Sequence, residues 1–336
     1  MTEHDGVRDL LAAWAVGALS PAEERTVLPH LAECEPCAVE AERLRETVRL
    51  LDGPPPPGGD GTPGGTESSV LSTALTRRRP ATHAVAGHAA PYAATVSGLT
   101  ALLPEADGRW DTPVVHGWDV HATVAHLLAA DEHLALPLGL DASVPPSPVA
   151  GMDWEDAWHR RTADVIAHER GRTPRETVGA WSAQAQALLG APEARDPGRA
   201  ARAMTLMGVR LPVADHFLVR AFETWIHTKD IGTALGLAVP PPPEEHLSRL
   251  VRLAVRVLGP ALGPTAPPVL FSVTGGQEWV LGPQGEPVRA ELALDPVDFC
   301  LLVGGRYAPG AVPRRTTGDE GAVRHVLERA ASLAWL

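Results

Sequence analysis

The stretch from His30 to Cys37 places two of the chain's three cysteines within eight residues. Cys34 follows His30 by four positions and precedes Cys37 by three, so one helical turn puts these side chains on one face. One imidazole and two thiolates suit a tetrahedral zinc ion, which then needs a fourth ligand. His4 lies just ahead of the first apolar-periodic segment and is the candidate for that position. The motif predicts a structural zinc site at His4, His30, Cys34 and Cys37.

Two other interpretations of the cysteine pair are weaker. A redox-active CxxC pair is typical of a βαβ context, whereas apolar residues at helical spacing flank this motif on both sides. A disulfide is disfavoured because the chain shows no signal peptide and contains only 3 cysteines, which indicates a reducing compartment. The flanking apolar residues are Val7, Leu10, Leu11 and Trp14 before the motif, and Val39, Leu44, Val48 and Leu51 after it.

With these features, about residues 1–80 resemble the zinc-binding anti-sigma domain of bacterial transcription regulators. The likeness includes a helix near Val7–Gly17, the turn Leu19–Glu24 and the histidine-cysteine signature. The resemblance implies a small helical module that sequesters a group-4 sigma factor, with a further helix, here over Ser68–Arg79, inserted between the sigma domains. Redox-sensing members carry an extra cysteine in the first helix. Because this chain has none there, we do not expect disulfide-triggered zinc release.

The charge and hydropathy of the chain exclude two classes of partner. A formal net charge of −12 argues against a nucleic-acid groove, since phosphate contacts need clustered lysine and arginine. No segment approaches the length of apolar sequence that a membrane span requires. We therefore predict no direct nucleic-acid contact, no membrane contact and a cytoplasmic location.

Proline and glycine divide the chain into three predicted parts. The first is the zinc-binding helical module over 1–51, followed over 52–80 by a flexible linker and the possible sigma-contacting helix. The second, over 82–240, has helical periodicity and predicts a four-helix bundle with extra elements. The third, over 245–336, follows the run Pro240–Pro243. The helices predicted for the second part are His88–Leu103, Asp119–Leu136, Asp153–Arg170, Thr173–Leu189 and Arg210–Leu235.

The third part changes to strand-like periodicity after a further break over Pro260–Pro268. The pattern predicts a small α+β unit with an antiparallel sheet, so the fold class of the whole chain is mainly α. The predicted strands are Val269–Val273, Glu278–Leu281, Val288–Leu294 and Arg314–Thr316, and the predicted helices are Phe299–Leu302 and Glu320–Ala334.

A second predicted metal site lies in the bundle. Glu223 and His227 are four apart and share a helical face, and His126 follows the N-cap candidate Asp119 among apolar residues. Carboxylate and histidine side chains on facing helices build metal sites in bundle cores. Taken alone, His126 is more often an ordinary core histidine, and the Glu-x3-His spacing is common by chance. A two-histidine, one-glutamate set leaves a coordination position open, as in catalytic sites.

Residues 88–236 resemble the metal-binding bundle of mycothiol-dependent maleylpyruvate isomerases, within the DinB-like superfamily. The likeness rests on Gly117-Trp118 leading into the His126 helix, and on the segment Glu223–Ile231 ending at Leu235-Gly236. It implies that His126, Glu223 and His227 bind a divalent metal, usually zinc, which activates the thiol of mycothiol.

The resemblance continues into the third part, where about residues 245–336 resemble the family's SCP2-like domain. Gly304-Gly305-Arg306 matches its glycine-arginine segment, which makes Arg306 a candidate catalytic residue that contacts a substrate carboxylate, or else an ordinary surface arginine.

Other histidines and the third cysteine are not assigned to a site. His116, His121 and His133 are predicted to face solvent, whereas His216 could share the Glu223 face. Cys300 lies in an apolar setting and is predicted to be a buried, inert thiol.

Three functions are compatible with these patterns. We favour a zinc-binding anti-sigma factor whose bundle senses a small thiol or an electrophile adduct. The alternative is a mycothiol-dependent isomerase or S-transferase with a zinc-finger docking module. The third is a scaffold in which both metal sites are structural.

Overall fold

The computed structural model describes residues 3–15, 19, 23, 26–27, 29–31, 34–52, 84–283 and 285–333. Contacts between residues divide the chain into two units, 1–80 and 81–336. The predicted linker beyond Asp52 and the predicted helix over Ser68–Arg79 lie outside the described residues, as does most of the turn Leu19–Glu24.

The first unit is a small helical module. Helices α1 (Glu3–Arg8) and α2 (Leu11–Ala15) form where one longer helix was predicted, because the chain turns at residues 9–10. A longer helix, α3 (Glu35–Asp52), begins inside the cysteine motif and packs against α2. Among the residues that the structure describes here, the buried apolar core is small, so the module needs another source of stability. The described core residues are Val7, Leu11, Val27, Cys37 and Ala41.

The first part of the second unit is a helical bundle. Side-chain caps fix its helix starts: Asp119 accepts a hydrogen bond from the Ala122 amide at 2.7 Å, and Thr173 forms a capping box with Glu176. The helices are α4 (Ala90–Leu102), α5 (Val120–Ala135), α6 (Trp154–Glu169), α7 (Pro174–Gly190), α8 (Pro192–Arg195), α9 (Pro197–Ala200) and α10 (Val213–Leu235). Helix α10 packs on α4, and α5 packs on α6, α7 and α10.

Two short hairpins interrupt the bundle, and sequence patterns did not predict either. Strands β1 (Pro113–Val115) and β2 (Trp118–Asp119) lead into α5. Strands β3 (Ala203–Leu206) and β4 (Val209–Pro212) precede α10, so the predicted helix start at Arg210 is wrong. Met207 and Gly208 connect β3 to β4 with φ angles of 49° and 71°, the positive values that a tight hairpin turn needs.

The rest of the second unit is an α+β region around a four-stranded sheet in the order β6-β5-β7-β8. The prediction of an antiparallel sheet is wrong for one pair, because β5 and β7 run parallel. After β6 turns back along one edge of β5, the chain returns on the other side of β5 in the original direction. The elements are α11 (Glu244–Ala261), β5 (Val269–Val273), β6 (Glu278–Leu281), β7 (Ala290–Leu294), α12 (Pro296–Val303), β8 (Arg314–Gly318) and α13 (Glu320–Ser332).

Helix α11 was missed although its sequence carries the signal. Leu247, Leu250, Val251 and Leu258 are buried at helical spacing. Pro260 was interpreted as a break, but it lies in the last turn of the helix, one residue before the helix ends at Ala261.

One apolar core runs through the bundle and the α+β region. The mainly α fold class is confirmed, and the boundary between residues 240 and 245 stays a prediction. None of the described helices has the length and hydropathy of a membrane span.

Candidate metal centres

The four predicted zinc ligands of the first unit lie together. His4 Nδ1 is 3.6 Å from Cys34 Sγ and 3.7 Å from Cys37 Sγ, and the rings of His4 and His30 are 5.5 Å apart. One donor atom from each of the four residues falls within 4.8 Å of the others. Helix α3 carries Cys37, while a backbone hydrogen bond of 2.8 Å joins the Cys34 amide to the His30 carbonyl.

This donor set fits zinc. Ligand atoms around a tetrahedral ion with Zn–N and Zn–S bonds of ordinary length are about 3.5 Å apart, close to the distances seen here. His30 Nε2 is buried and has no hydrogen-bond partner among the described residues, so it is free to bind an ion. With four protein ligands, such a site is closed and structural.

The three predicted ligands in the bundle also lie together. His126 projects from α5, whereas Glu223 and His227 project from successive turns of α10. All three side chains are buried, and their donor atoms fall within 4.8 Å of one another. The rings of His126 and His227 meet edge to face with centroids 4.9 Å apart.

The buried donor atoms of this cluster lack ordinary hydrogen bonds. His126 Nε2 lies 2.9 Å from Glu223 Oε1, but the pair is not aligned for a hydrogen bond. Both oxygens of Glu223 and Nε2 of His227 also have no partner in the described part of the chain. Buried polar atoms are rarely left unpaired. A divalent cation bound by the three side chains satisfies them, so the residues fit a metal.

Charge around the cluster favours the ligand forms of its side chains. Burial opposes ionisation of Glu223, but the Arg220 guanidinium and the two histidines outweigh it and hold the pKa at about 2. Burial lowers the pKa of His227 to about 4, against the opposing effect of Asp230. At neutral pH Glu223 is therefore a carboxylate and His227 a neutral imidazole, the forms that bind metals.

Asp230 holds His227 in place. Its Oδ2 lies 3.3 Å from His227 Nδ1, which leaves the buried and unpartnered Nε2 as the nitrogen available to a metal. Arg306, from the α+β region, pairs with Asp230 and reaches within 3.5 Å of His227 Nδ1. A carboxylate on the far nitrogen of a metal-binding histidine fixes its tautomer and orientation.

Arg306 is therefore not an ordinary surface arginine. Its Nε donates to both oxygens of Asp230, and Nη1 donates to the Gly304 carbonyl. Contact between Arg306 and a substrate carboxylate stays a prediction.

Comparisons with known proteins agree with this geometry. Residues 5–38 match the family model described as a putative zinc-finger. Residues 89–232 match the model of the mycothiol maleylpyruvate isomerase N-terminal domain. The chain thus matches a zinc-finger model and, further along, a mycothiol maleylpyruvate isomerase N-terminal domain model. Both donor clusters lie within these two matched ranges, apart from His4, which is next to the first boundary.

Similar chains support the fold but name no activity for this one. Uncharacterized proteins from two strains of Mycobacterium tuberculosis are each 26% identical over 245 residues, which cover 67% of this chain and 86% of each relative. A crystal structure of the mycothiol-dependent maleylpyruvate isomerase superposes with a TM-score of 0.50 and 16% identity, covering 69% of this chain and 92% of that one. At that identity the likeness shows a common fold.

The histidines near the ligands in sequence differ in their surroundings, and His116 is exposed, as predicted. His133 was predicted to face solvent, but its Nε2 is buried and its ring lies 4.6 Å from that of Trp158. His121 Nε2 lies 2.8 Å from Thr177 Oγ1, and His116 meets the edge of Trp118. His216 lies on α10, but its Nε2 forms a hydrogen bond of 3.0 Å with the Met204 carbonyl, so it holds the β3–β4 hairpin.

Cys300 is fully buried, as predicted, and burial raises the pKa of its thiol.

Sequence patterns missed two residues that support the bundle cluster. Asp230 follows His227 by three positions, and Arg220 precedes Glu223 by three, so both lie on the ligand face of α10. That spacing was a usable signal.

Replacing Asp230 with asparagine is expected to weaken metal binding in the bundle by about 10–100-fold, the usual effect of removing a carboxylate behind a metal-binding histidine. Arg306 also loses its partner in this variant. Competition with a chromophoric chelator measures the change. Asp141→Asn, at an exposed loop position, is the control and should bind metal like the wild type. If Asp230→Asn bound the metal as tightly as wild type, Asp230 would have no role in supporting the metal centre.

Buried Asp131 predicts a pH dependence of stability. Burial raises its pKa from 3.8 to about 7, although Arg220 and the hydrogen bond from Tyr92 oppose the shift. The folded state thus binds the proton more tightly than the unfolded state, and the free energy of unfolding falls as pH rises from about 4 to 7. Three pKa units set an upper limit of about 4 kcal/mol.

Asp131→Asn removes this titration, so its free energy of unfolding should rise relative to that of wild type as the pH is raised from about 5 to about 8. Urea unfolding at both values, with equal metal loading, measures the difference. Asp141→Asn should show no such trend. A stability difference between Asp131→Asn and wild type that does not vary with pH would contradict the account.

Proposed function

We propose that this protein is an anti-sigma factor whose zinc finger sequesters a group-4 sigma factor and whose bundle metal centre senses a small thiol. The observation that carries the proposal is the contrast between the two donor clusters. The first has four protein ligands and is closed, whereas the second has three and leaves room for an outside ligand.

The first cluster supports a structural role for zinc in partner binding. The match to the zinc-finger family covers residues 5–38, which lie within the compact unit 1–80. A small module held by zinc presents a fixed helical surface without a large core of its own.

The second cluster supports thiol sensing. Its three candidate ligands are one carboxylate and two imidazoles, so a divalent ion held by them would keep a net positive charge and would lower the pKa of a thiol bound to it. The partly exposed Trp118 stacks on His126 at 4.5 Å and forms one wall of the centre. A thiol or its electrophile adduct releases the sigma factor only if it binds the free and sigma-bound states with different affinity. We infer that mycothiol, or an adduct of it, is this ligand.

The test is capture from native lysate with the full-length protein, followed by mass spectrometry of the bound proteins. Wild type and Cys300→Ala should retain a sigma factor, and Cys34→Ala should lose it. Adding mycothiol or its electrophile adducts should release the sigma factor from wild type but not from His227→Ala. A protein that retains no sigma factor would refute the anti-sigma assignment. Equal release from wild type and His227→Ala would refute the sensor role.

A second candidate function is a mycothiol-dependent isomerase or S-transferase. The Arg306–Asp230 pair beside His227 favours it, because an arginine from the α+β region then lies next to the metal ligands, where a substrate carboxylate can meet it. Turnover of unsaturated or electrophilic substrates with mycothiol, abolished in His126→Ala, would establish this function. No turnover across a panel of such substrates would refute it.

A further inference from the structure

An open cavity lies beside the bundle metal centre. It has a volume of about 1000 Å³ and is lined by the β3–β4 hairpin, the end of α5, the start of α6, and parts of α10, α11 and α13. This volume is at the upper end of the range for small-molecule sites. None of the three metal ligands is among its lining residues.

Arg220 is the polar group at the inner wall of this cavity. Its side chain is only 3% exposed. Nη2 donates to the Met207 sulfur at 3.8 Å, and a thioether is a weak acceptor. Nη1 touches Glu223 Oε2 but is not aligned for a hydrogen bond, and it has no other partner among the described residues. A buried guanidinium with so few good acceptors has donors available for an anion.

The other charged groups that line the cavity are paired or exposed, whereas Arg220 is buried, with Nη1 in an ion pair with Glu223 and Nη2 directed at the Met207 sulfur. Arg256 is paired with Asp215 on α10. Burial lowers the pKa of His133 to about 4, so that imidazole is neutral at pH 7, and its Nε2 is a further unpartnered polar atom. Arg210 and Glu155 are exposed and of opposite charge.

The rest of the wall is aromatic and aliphatic. Trp154 is 49% exposed at the hairpin and Trp158 lies further in, while Leu134, Val219 and Val257 line the same space. Indole faces and aliphatic side chains bind an apolar or aromatic body, and a buried arginine binds a carboxylate. The cavity wall therefore offers contacts for both the apolar part and the carboxylate of an amphipathic ligand.

We propose that this cavity is a binding site for an organic carboxylate with a large apolar or aromatic body. The carboxylate lies on Arg220 and the body packs against Trp154 and Trp158. The site does not depend on the sigma factor or on a thiol at the metal. It is nevertheless one contact from the metal centre, because Arg220 also touches Glu223.

Pyrenebutyrate and its alcohol, pyrenebutanol, are matched probes of this site. They share the aromatic body and differ in the carboxylate. Quenching of tryptophan fluorescence in the full-length, metal-loaded protein measures the binding of each. Wild type should bind the acid about twentyfold more tightly than the alcohol, as expected for one buried charge-assisted contact.

Three variants separate the two halves of the proposal. Arg220→Met should remove the preference for the acid, and Arg256→Met should keep it because that arginine is already paired. Trp154→Ala should weaken both probes by a similar factor, about fivefold, and keep the preference. Since Trp154 is half exposed, this variant should fold even if Arg220→Met does not.

The proposal is overturned if wild type binds acid and alcohol equally, or if Arg220→Met keeps the preference. It is also overturned if Trp154→Ala binds both probes as wild type does, since the probes then bind elsewhere. If Arg220→Met does not fold, the acid-to-alcohol ratio of wild type and the loss in Trp154→Ala decide the question.

Discussion

Cys37→Ala is expected to lose the zinc of the first unit and to unfold that unit while the second unit stays folded. The buried apolar core around Cys37 is small, and the four donor atoms lie within 4.8 Å of one another. In zinc-finger peptides the metal contributes about 10–16 kcal/mol to folding at neutral pH. The few buried apolar residues described in this unit cannot replace a metal contribution of that size to the free energy of folding. Hydrogen exchange should therefore show α3 (Glu35–Asp52) losing its protection.

Cys300→Ala is the matched control, because Cys300 is also a buried cysteine but belongs to neither donor cluster. It should retain the zinc and the protection of α3. If Cys37→Ala kept both its zinc content and its protected helix, the first cluster would not be a structural zinc site.

His227→Ala is expected to abolish metal binding in the bundle at concentrations that saturate wild type. The substitution removes one of only three protein ligands and leaves Asp230 without its imidazole partner. The loss of affinity should exceed the roughly 100-fold effect typical of residues behind the ligands. Chelator competition measures it, with the zinc of the first unit as an internal reference.

The control for this variant is His168→Ala, at an exposed position of the bundle helix α6. It should bind two metal ions per chain, like wild type. Equal metal content in His227→Ala and wild type would show that the bundle cluster does not bind metal with His227.

The sequence predicted the site better where ligands are close along the chain. Glu223 and His227 are one turn apart on a helix, so their common face follows from helical geometry. The contact of His126 with this pair depends on how α5 packs against α10, and the resemblance to a known bundle supplied that information. Arg306 reaches Asp230 across 76 positions, a contact that no local pattern encodes.

Elements that depend on tertiary pairing were predicted less well. The alternation in β7 indicates a strand, but only the path of the chain decides that it pairs parallel with β5. The β3–β4 hairpin was not predicted, and the end of β4 was assigned to the following helix, because the turn Met207-Gly208 lacks a strong turn signature. The cavity beside Arg220 is lined by residues of five helices and this hairpin, so it is visible only in the folded chain.

The most direct measurement is the absorption of the full-length Cys34→Ala/Cys37→Ala protein with cobalt bound in the bundle, before and after mycothiol. The protein ligands there, His126, Glu223 and His227, contain no sulfur. We predict a sulfur-to-cobalt charge-transfer band in the near ultraviolet with mycothiol, none with its S-methyl ether, and none when His227→Ala is added. If mycothiol produces no such band, the bundle centre does not accept a thiol, and both the sensor and the mycothiol-enzyme assignments are contradicted.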